Sequence, residues 1–363
     1  MKKLEVNKVY IGDCLDVLTT FPDESIDMCI TSPPYWGLRD YGVDNQLGLE
    51  ETPEEFVDKL CDVFDEVKRV LKPHGSCWVN LGDSYCRSPN SQDKSGKTGI
   101  TTHKYDYDFK HKKNYGDTYK PKSLVQIPSR FAIEMTNRGW ILRNEIIWHK
   151  PSCLPASVKD RYTVDFEKMF FFTKKKKYYF KQQIEEVNDS SKRNKRTVWS
   201  VSTAKFEGAH FAVYPPEIIE SPIDAGCPEE ICTECGKGRV KIMESPPNPK
   251  GISGRAGKPM VSKDGVVDTS NGTKRIETGH NSSVYTNSKF VGYDECDCNA
   301  GFTGGTVLDP FFGSGTTAEV AMKQDKNWVG IELNDDYIKI SDKRLKPTIV
   351  EKKTREKASE FWG

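Results

Sequence analysis

No apolar run in the 363-residue sequence is long enough to span a bilayer, and its first residues lack a signal-like apolar segment. No membrane attachment is expected, and a cytoplasmic location is. Net charge is nearly absent as well, since 54 Lys and Arg oppose 53 Asp and Glu, leaving +1. Bulk charge therefore does not advertise a polyanionic partner, and any basic surface must come from local clustering. The 11 cysteines are odd in number and scattered through apparent core strands. That favours reduced thiols over a disulfide framework. The glycine-rich stretch near residue 313 has no lysine after its glycines, which removes a phosphate-gripping P-loop. The length itself allows one large domain plus an insertion.

What is present centres on Thr31-Ser32-Pro33-Pro34-Tyr35. It follows Ile26-Asp27-Met28-Cys29-Ile30, an apolar run that reads as a buried strand. Two prolines cannot continue that strand, so the backbone turns at a strand's carboxyl end, where open α/β sheets place their chemistry. The turn offers a hydroxyl, carbonyls and an aromatic ring, a set suited to a flat, amine-bearing substrate. A proline-rich structural turn is the plainer alternative.

A second stretch changes the balance. Thr306-Val307-Leu308 reads as a strand, Asp309-Pro310-Phe311-Phe312-Gly313-Ser314-Gly315-Thr316-Thr317 as a loop, and Ala318 to Met322 as the opening of a helix. Strand, glycine loop and helix make a nucleotide-type cofactor site: glycine admits close backbone approach, and a helix N-terminus offers free N–H groups. Trp328-Val329-Gly330-Ile331 reads as the next strand and ends at Glu332, placed to accept from ribose hydroxyls.

Together, Ser-Pro-Pro-Tyr at 32–35, the loop 309–317 and Gly330-Ile331-Glu332-Leu333 resemble the amino-methylating DNA methyltransferases, which modify cytosine N4 or adenine N6. The catalytic motif precedes the cofactor loop, which resembles the permuted beta group. Protein-glutamine methyltransferases carry a similar Asn-Pro-Pro-Tyr, but after their glycine loop. The resemblance implies an α/β fold: a doubly wound, Rossmann-like, mostly parallel sheet of the class I S-adenosylmethionine-dependent type, with permuted motif order. It implies S-adenosylmethionine as cofactor, double-stranded DNA as partner and a prokaryotic or phage origin. A cognate restriction endonuclease is a further candidate partner. By the same resemblance, Ser32, Pro33, Pro34 and Tyr35 are catalytic. Asp13, Cys14, His210, Phe211, Asp309, Pro310, Phe311, Gly313, Ser314, Gly315, Thr316, Thr317, Glu332 and Leu333 hold the cofactor. For Asp13 a helix N-cap is the alternative role, as a helix cap is for His210 and a core position for Phe211.

The expected organisation is a catalytic part over 1–226, with a basic loop at 84–122, a Cys-containing insertion at 227–302, a cofactor-binding part of the same domain at 303–346, and a charged tail at 347–363. Thr52-Pro53-Glu54-Glu55 is a capping box opening an amphipathic helix, which Lys72-Pro73-His74-Gly75 ends before a strand at Ser76. Asp27 reads as structural. Helix is expected from Pro128 to Arg138, strand from Trp140 to Trp148, and a hairpin of Phe166–Thr173 with Tyr178–Phe180 around four lysines.

DNA contact is assigned to Arg39 in an aromatic loop and to Lys112 and Lys113 among interleaved aromatics. It is also assigned to Lys150 and Arg161, whose segment resembles the family's loop beside the target-base pocket, and to Lys192, Arg193, Lys195 and Arg196 in a basic connector. A packed Ω-type loop is the alternative for Arg39, and a mobile surface loop for Lys112 and Lys113. Cys232-Thr233-Glu234-Cys235 and Cys296-Asp297-Cys298 can supply four thiolates to a structural zinc, with unbound reduced cysteines as the alternative. The favoured activity is methyl transfer to cytosine N4 of a flipped-out base. Adenine N6 is the alternative, RNA methylation a third reading, and an inactive DNA-binding protein with a methylase-like domain and zinc module the reading of another class.

Overall fold

A computed structural model describes residues 4–37, 46–86, 119–153, 155–188, 191–203, 214–244, 289–294 and 296–362. Its centre is β2 (Ile26–Thr31), buried at every position. An apolar strand with both faces covered belongs inside an α/β sandwich. Parallel neighbours flank it: β13 (Thr306–Asp309) on one side and β3 (Leu71–Leu81) on the other. With β1 (Lys8–Ile11), β14 (Asn327–Glu332), β4 (Ile141–His149), β5 (Phe166–Thr173) and β8 (Val198–Ser200) they form an eight-stranded sheet. Its order is β1-β14-β13-β2-β3-β5-β4-β8. Only the pairings of β5 with β3 and β4 are antiparallel.

Period-two alternation sends side chains into two cores. Cys29, Cys77, Val79, Phe170, Phe172 and Leu308 face one core with α1 (Cys14–Thr19), α2 (Pro53–Val70) and α3 (Ile127–Asn137). Met28, Ile30, Trp78, Phe171 and Val307 face the other with α4 (Pro216–Gly226) and α5 (Thr316–Lys323). The doubly wound, mostly parallel sheet is therefore present. The capping box forms as expected, with Glu55 N–H donating to Thr52 Oγ1 at 3.1 Å and Pro53 in the first turn.

Three local expectations change. β3 starts at Leu71 rather than Ser76, and its register on β2 jumps from Ile26↔Leu71 to Met28↔Ser76. The surplus residues bulge, bringing Lys72 and His74 onto Asp27. The hairpin beyond the lysine run does not form, because β3 and β4 already occupy both edges of β5. Tyr178 and Phe180 instead pack their rings on Phe171, each at 5.7 Å. The charged tail is not separate either: α6 (Asp335–Trp362) runs through Pro347, with Thr348 buried and Ile349 packed on the second core.

The remaining strands make three small ribbons. These are β6 (Ile184–Asn188) with β7 (Ser191–Asn194), β9 (Ile231–Cys232) with β12 (Phe302–Thr303), and β10 (Val240–Glu244) with β11 (Lys289–Asp294). Among the described residues, no helix is long and apolar enough to cross a membrane.

Candidate active site

The chain leaves β2 through α2 toward β3 and leaves β13 through α5 toward β14, in opposite directions across the sheet. The crevice where these paths diverge is where open α/β sheets bind ligands. A cleft of about 380 Å³ lies there, walled by Ser32 to Tyr35 on one side and Asp309 to Ser314 on the other. The two motifs, some 280 residues apart, thus share one cavity.

Asp309 ties the walls together. Its buried carboxylate accepts from Thr31 Oγ1 (2.6 Å), Phe311 N–H (3.1 Å), Thr317 Oγ1 (2.6 Å) and Tyr214 OH (3.2 Å). Burial nevertheless holds its pKa above the usual carboxylate value. Asp309 thus fixes the end of β2, the loop and the start of α5 in one knot. Gly313 (φ 52°) and Gly315 (φ 80°) are both left-handed, which lets the loop turn into α5. Ser314 and Thr316 also line the cleft. Both accept from the Arg344 guanidinium of α6, at 3.0 and 2.8 Å.

Glu332 closes the far wall. One oxygen accepts from Gly313 N–H (2.8 Å) and the other from Asn334 N–H (2.9 Å), and burial raises its pKa. Each oxygen keeps a lone pair for a further donor. Asp13 is the N-cap of α1, its Oδ1 accepting from Leu15 N–H (2.8 Å) and Asp16 N–H (3.2 Å). It also lines the cleft, as do Cys14 and Leu333. Both readings of Asp13 are thus compatible with its position. Burial pushes the Cys14 thiol far up, so it stays protonated.

The Tyr35 end carries a network that sequence reasoning missed. Tyr35 OH donates to Glu167 Oε2 (2.7 Å), Asn80 Nδ2 donates to both Tyr35 OH (2.8 Å) and Glu167 Oε2 (2.7 Å), and Ser32 Oγ lies 3.4 Å from Tyr35 OH. Lys150 Nζ closes the network on Glu167 Oε1 and sits 4.3 Å from the Trp148 ring centroid. Burial, reinforced by the Glu167 charge, keeps Tyr35 protonated. The ring fits only because residue 82 is glycine: a Cβ there would lie 2.5 Å from Tyr35 Cε2. Glu167 is the second residue of β5 and Asn80 the next-to-last of β3, and neither belongs to a motif. The only available signal was a polar residue at a core-facing position of an apolar strand.

The basic candidates fall elsewhere or are already engaged. Arg161 stacks on Tyr85 at 3.8 Å. Arg193 and Arg196 share Glu185, Lys192 faces Glu186 at 3.6 Å, and Lys195 lies 4.3 Å from the Trp199 ring centroid. Arg39, Lys112, Lys113, His210 and Phe211 lie outside the described residues.

Comparison with known proteins agrees with this architecture. The sequence model of the N6/N4 methylase family, described as "DNA methylase", matches residues 26–232 and 298–343. The type II methyltransferase M.Cfr9I of Citrobacter freundii is 35% identical over 352 residues, covering 94% of this chain and 89% of that protein. M.SmaI of Serratia marcescens is 32% identical, covering 93% and 90%. Among solved structures, the cytosine-N4-specific PvuII DNA methyltransferase shares the fold at a TM-score of 0.52 and 19% identity, covering 94% of this chain and 86% of that one. With its motifs meeting in one cleft and more than nine-tenths of its length shared with these relatives, the chain belongs to the N6/N4 family of S-adenosylmethionine-dependent DNA methyltransferases.

Proposed function

We propose that this methyltransferase modifies the N4 amine of cytosine in a specific duplex sequence, with Ser32, Pro33 and Tyr35 receiving the base and the loop from Asp309 holding the cofactor. The observation that carries this reading is the single cleft lined by both segments. The residues present fit S-adenosylmethionine. Glu332 keeps lone pairs for the ribose hydroxyls, Asp13 for the adenine amine, and the left-handed glycines let loop backbone approach closely. When bound, the cofactor supplies an electrophilic methyl on a sulfonium.

The chain's own residues prepare the amine. An amino group inside a duplex cannot reach the cleft, so the nucleotide flips out at a cost of a few kcal/mol. The Ser32 hydroxyl points along a relay to Tyr35 OH and on to Glu167. Donation along that relay polarises Ser32 Oγ as an acceptor. Ser32 Oγ and the Pro33 carbonyl accept the two amine N–H bonds, drawing the nitrogen lone pair out of conjugation with the ring. Holding amine and methyl in line lowers the barrier by about 7–11 kcal/mol. No covalent enzyme intermediate is required.

The choice of cytosine rests on the donor set. Cytosine presents two acceptors beside its amine, N3 and O2, whereas the corresponding adenine edge presents only N1. Lys150 Nζ lines the cleft and, with one N–H on Glu167, has others to give those acceptors. Ser32 also stands where a carboxylate would be the stronger acceptor. Expression in a host without DNA methylation, followed by single-molecule sequencing, tests the proposal. N4-methylcytosine in one sequence context supports it; N6-methyladenine, or no modified duplex DNA, refutes it.

A further inference from the structure

The four cysteines singled out in the sequence have no part in the cleft. Cys232, Cys235, Cys296 and Cys298 bring their sulfurs within 4.8 Å of one another, and none is in a disulfide. A tetrahedral ion with Zn–S bonds of about 2.3 Å needs sulfurs roughly 3.8 Å apart, so the quartet tightens by about 1 Å at most. The two halves are separated by 60 intervening residues. They meet because β9 and β12 pair, with Phe302 opposite Cys232. Gly236, left-handed at φ 69°, turns the first half back, its N–H donating to Cys232 O at 2.9 Å.

The location is as informative as the geometry. Lys72 Nζ bonds Asp27 Oδ1 (2.8 Å) and also reaches Gly236 O (3.4 Å). Pro228 O accepts from Lys326 Nζ (2.9 Å) and Gly305 N–H (3.1 Å). Asp27 and Thr306 stand at the amino ends of β2 and β13. The quartet is thus docked at the end of the sheet opposite the cleft.

We infer that these cysteines bind a structural Zn²⁺ that clasps the base of the insertion against the amino ends of the sheet. Four thiolates fill the coordination sphere and leave no position for a reacting water, so the site is structural and not catalytic. The inference stands independently of the target base.

Full-length protein purified without chelator or added metal is expected to carry one zinc per chain by plasma mass spectrometry. Under denaturing, chelating conditions it should titrate all 11 thiols. Exchange with Co²⁺ should give the intense visible bands of a tetrathiolate site. Cys235→Ser and Cys298→Ser should lose the metal, while Cys153→Ser, outside the quartet, keeps it. Stripping zinc should lower the melting midpoint by more than about 5 °C. Methyl transfer by the chains that stay folded at low temperature should change less than twofold. Should the variants precipitate, the unmodified protein's zinc content and cobalt spectrum decide. Metal-free chain, iron in place of zinc, fewer than 11 titratable thiols, or a tenfold loss of transfer in folded, zinc-free protein would each overturn the inference.

Discussion

Asp27 and Asp309 are both buried, on adjacent strands, and each takes hydrogen bonds from the other's strand. Thr306 N–H of β13 donates to Asp27 (2.9 Å), and Thr31 Oγ1 of β2 donates to Asp309 (2.6 Å). Yet their acidities diverge. Burial pushes Asp27 up, but His74, Lys72 and Thr306 N–H outweigh it and hold the carboxyl below its usual value. Asp309 has only neutral donors, and burial leaves it above. The amino end of the sheet satisfies its charge with cations. Asp309 at the carboxyl end is given none, and it stands beside the cleft. The two ends have different duties, one holding the fold and the other preparing a site.

If that division is right, Asp27→Ala should cost about 3–5 kcal/mol of stability, because it leaves Lys72 and Thr306 N–H without their buried partner. Denaturant unfolding measures this, and the affinity of the surviving folded protein for S-adenosylmethionine should be unchanged. At the other end, Tyr35→Ala should slow methyl transfer more than about 10²-fold with little change in melting. Equal damage to both properties by either variant would break the comparison.

Gly82→Ala sharpens it. The added Cβ displaces the Tyr35 ring without removing any polar group. The turnover number is expected to drop about tenfold at nearly constant cofactor affinity. A rate equal to the parent's would mean that ring placement is irrelevant.

The smallest expected effect is in pH. Because Asp27 is held below its unfolded value, its stabilising contribution is present above about pH 3.9 and is lost as pH falls through the lower folded value. Asp309, held above, contributes in the opposite sense, its protonated form being favoured as pH falls. The stability gap between the parent and Asp27→Asn should therefore narrow in acid, and the gap between the parent and Asp309→Asn should not follow it. Unfolding midpoints from pH 3 to pH 7 check both signs.

The parts legible in the sequence were those whose chemistry is local in the chain. A proline pair after a buried strand, glycines before a helix, and paired cysteines each carry their meaning within a few residues. The edge-strand pairing was not legible, because the occupied edges of β5 decide where residues 178–180 can go. Nor was Arg344, which braces the glycine loop before α5 from a helix whose charged composition reads as solvent-facing. Glu167 and Asn80 were hidden for the same reason: their role exists only where separate strands bring them to Tyr35.

The most direct test is the nucleoside product. Duplex DNA incubated with purified protein and methyl-labelled S-adenosylmethionine should yield labelled N4-methyldeoxycytidine on digestion and mass spectrometry, and Tyr35→Ala should slow its formation more than about 10²-fold. Label in N6-methyldeoxyadenosine would contradict the choice of cytosine, and label in 5-methyldeoxycytidine, or undiminished product from the variant, would contradict the site described above.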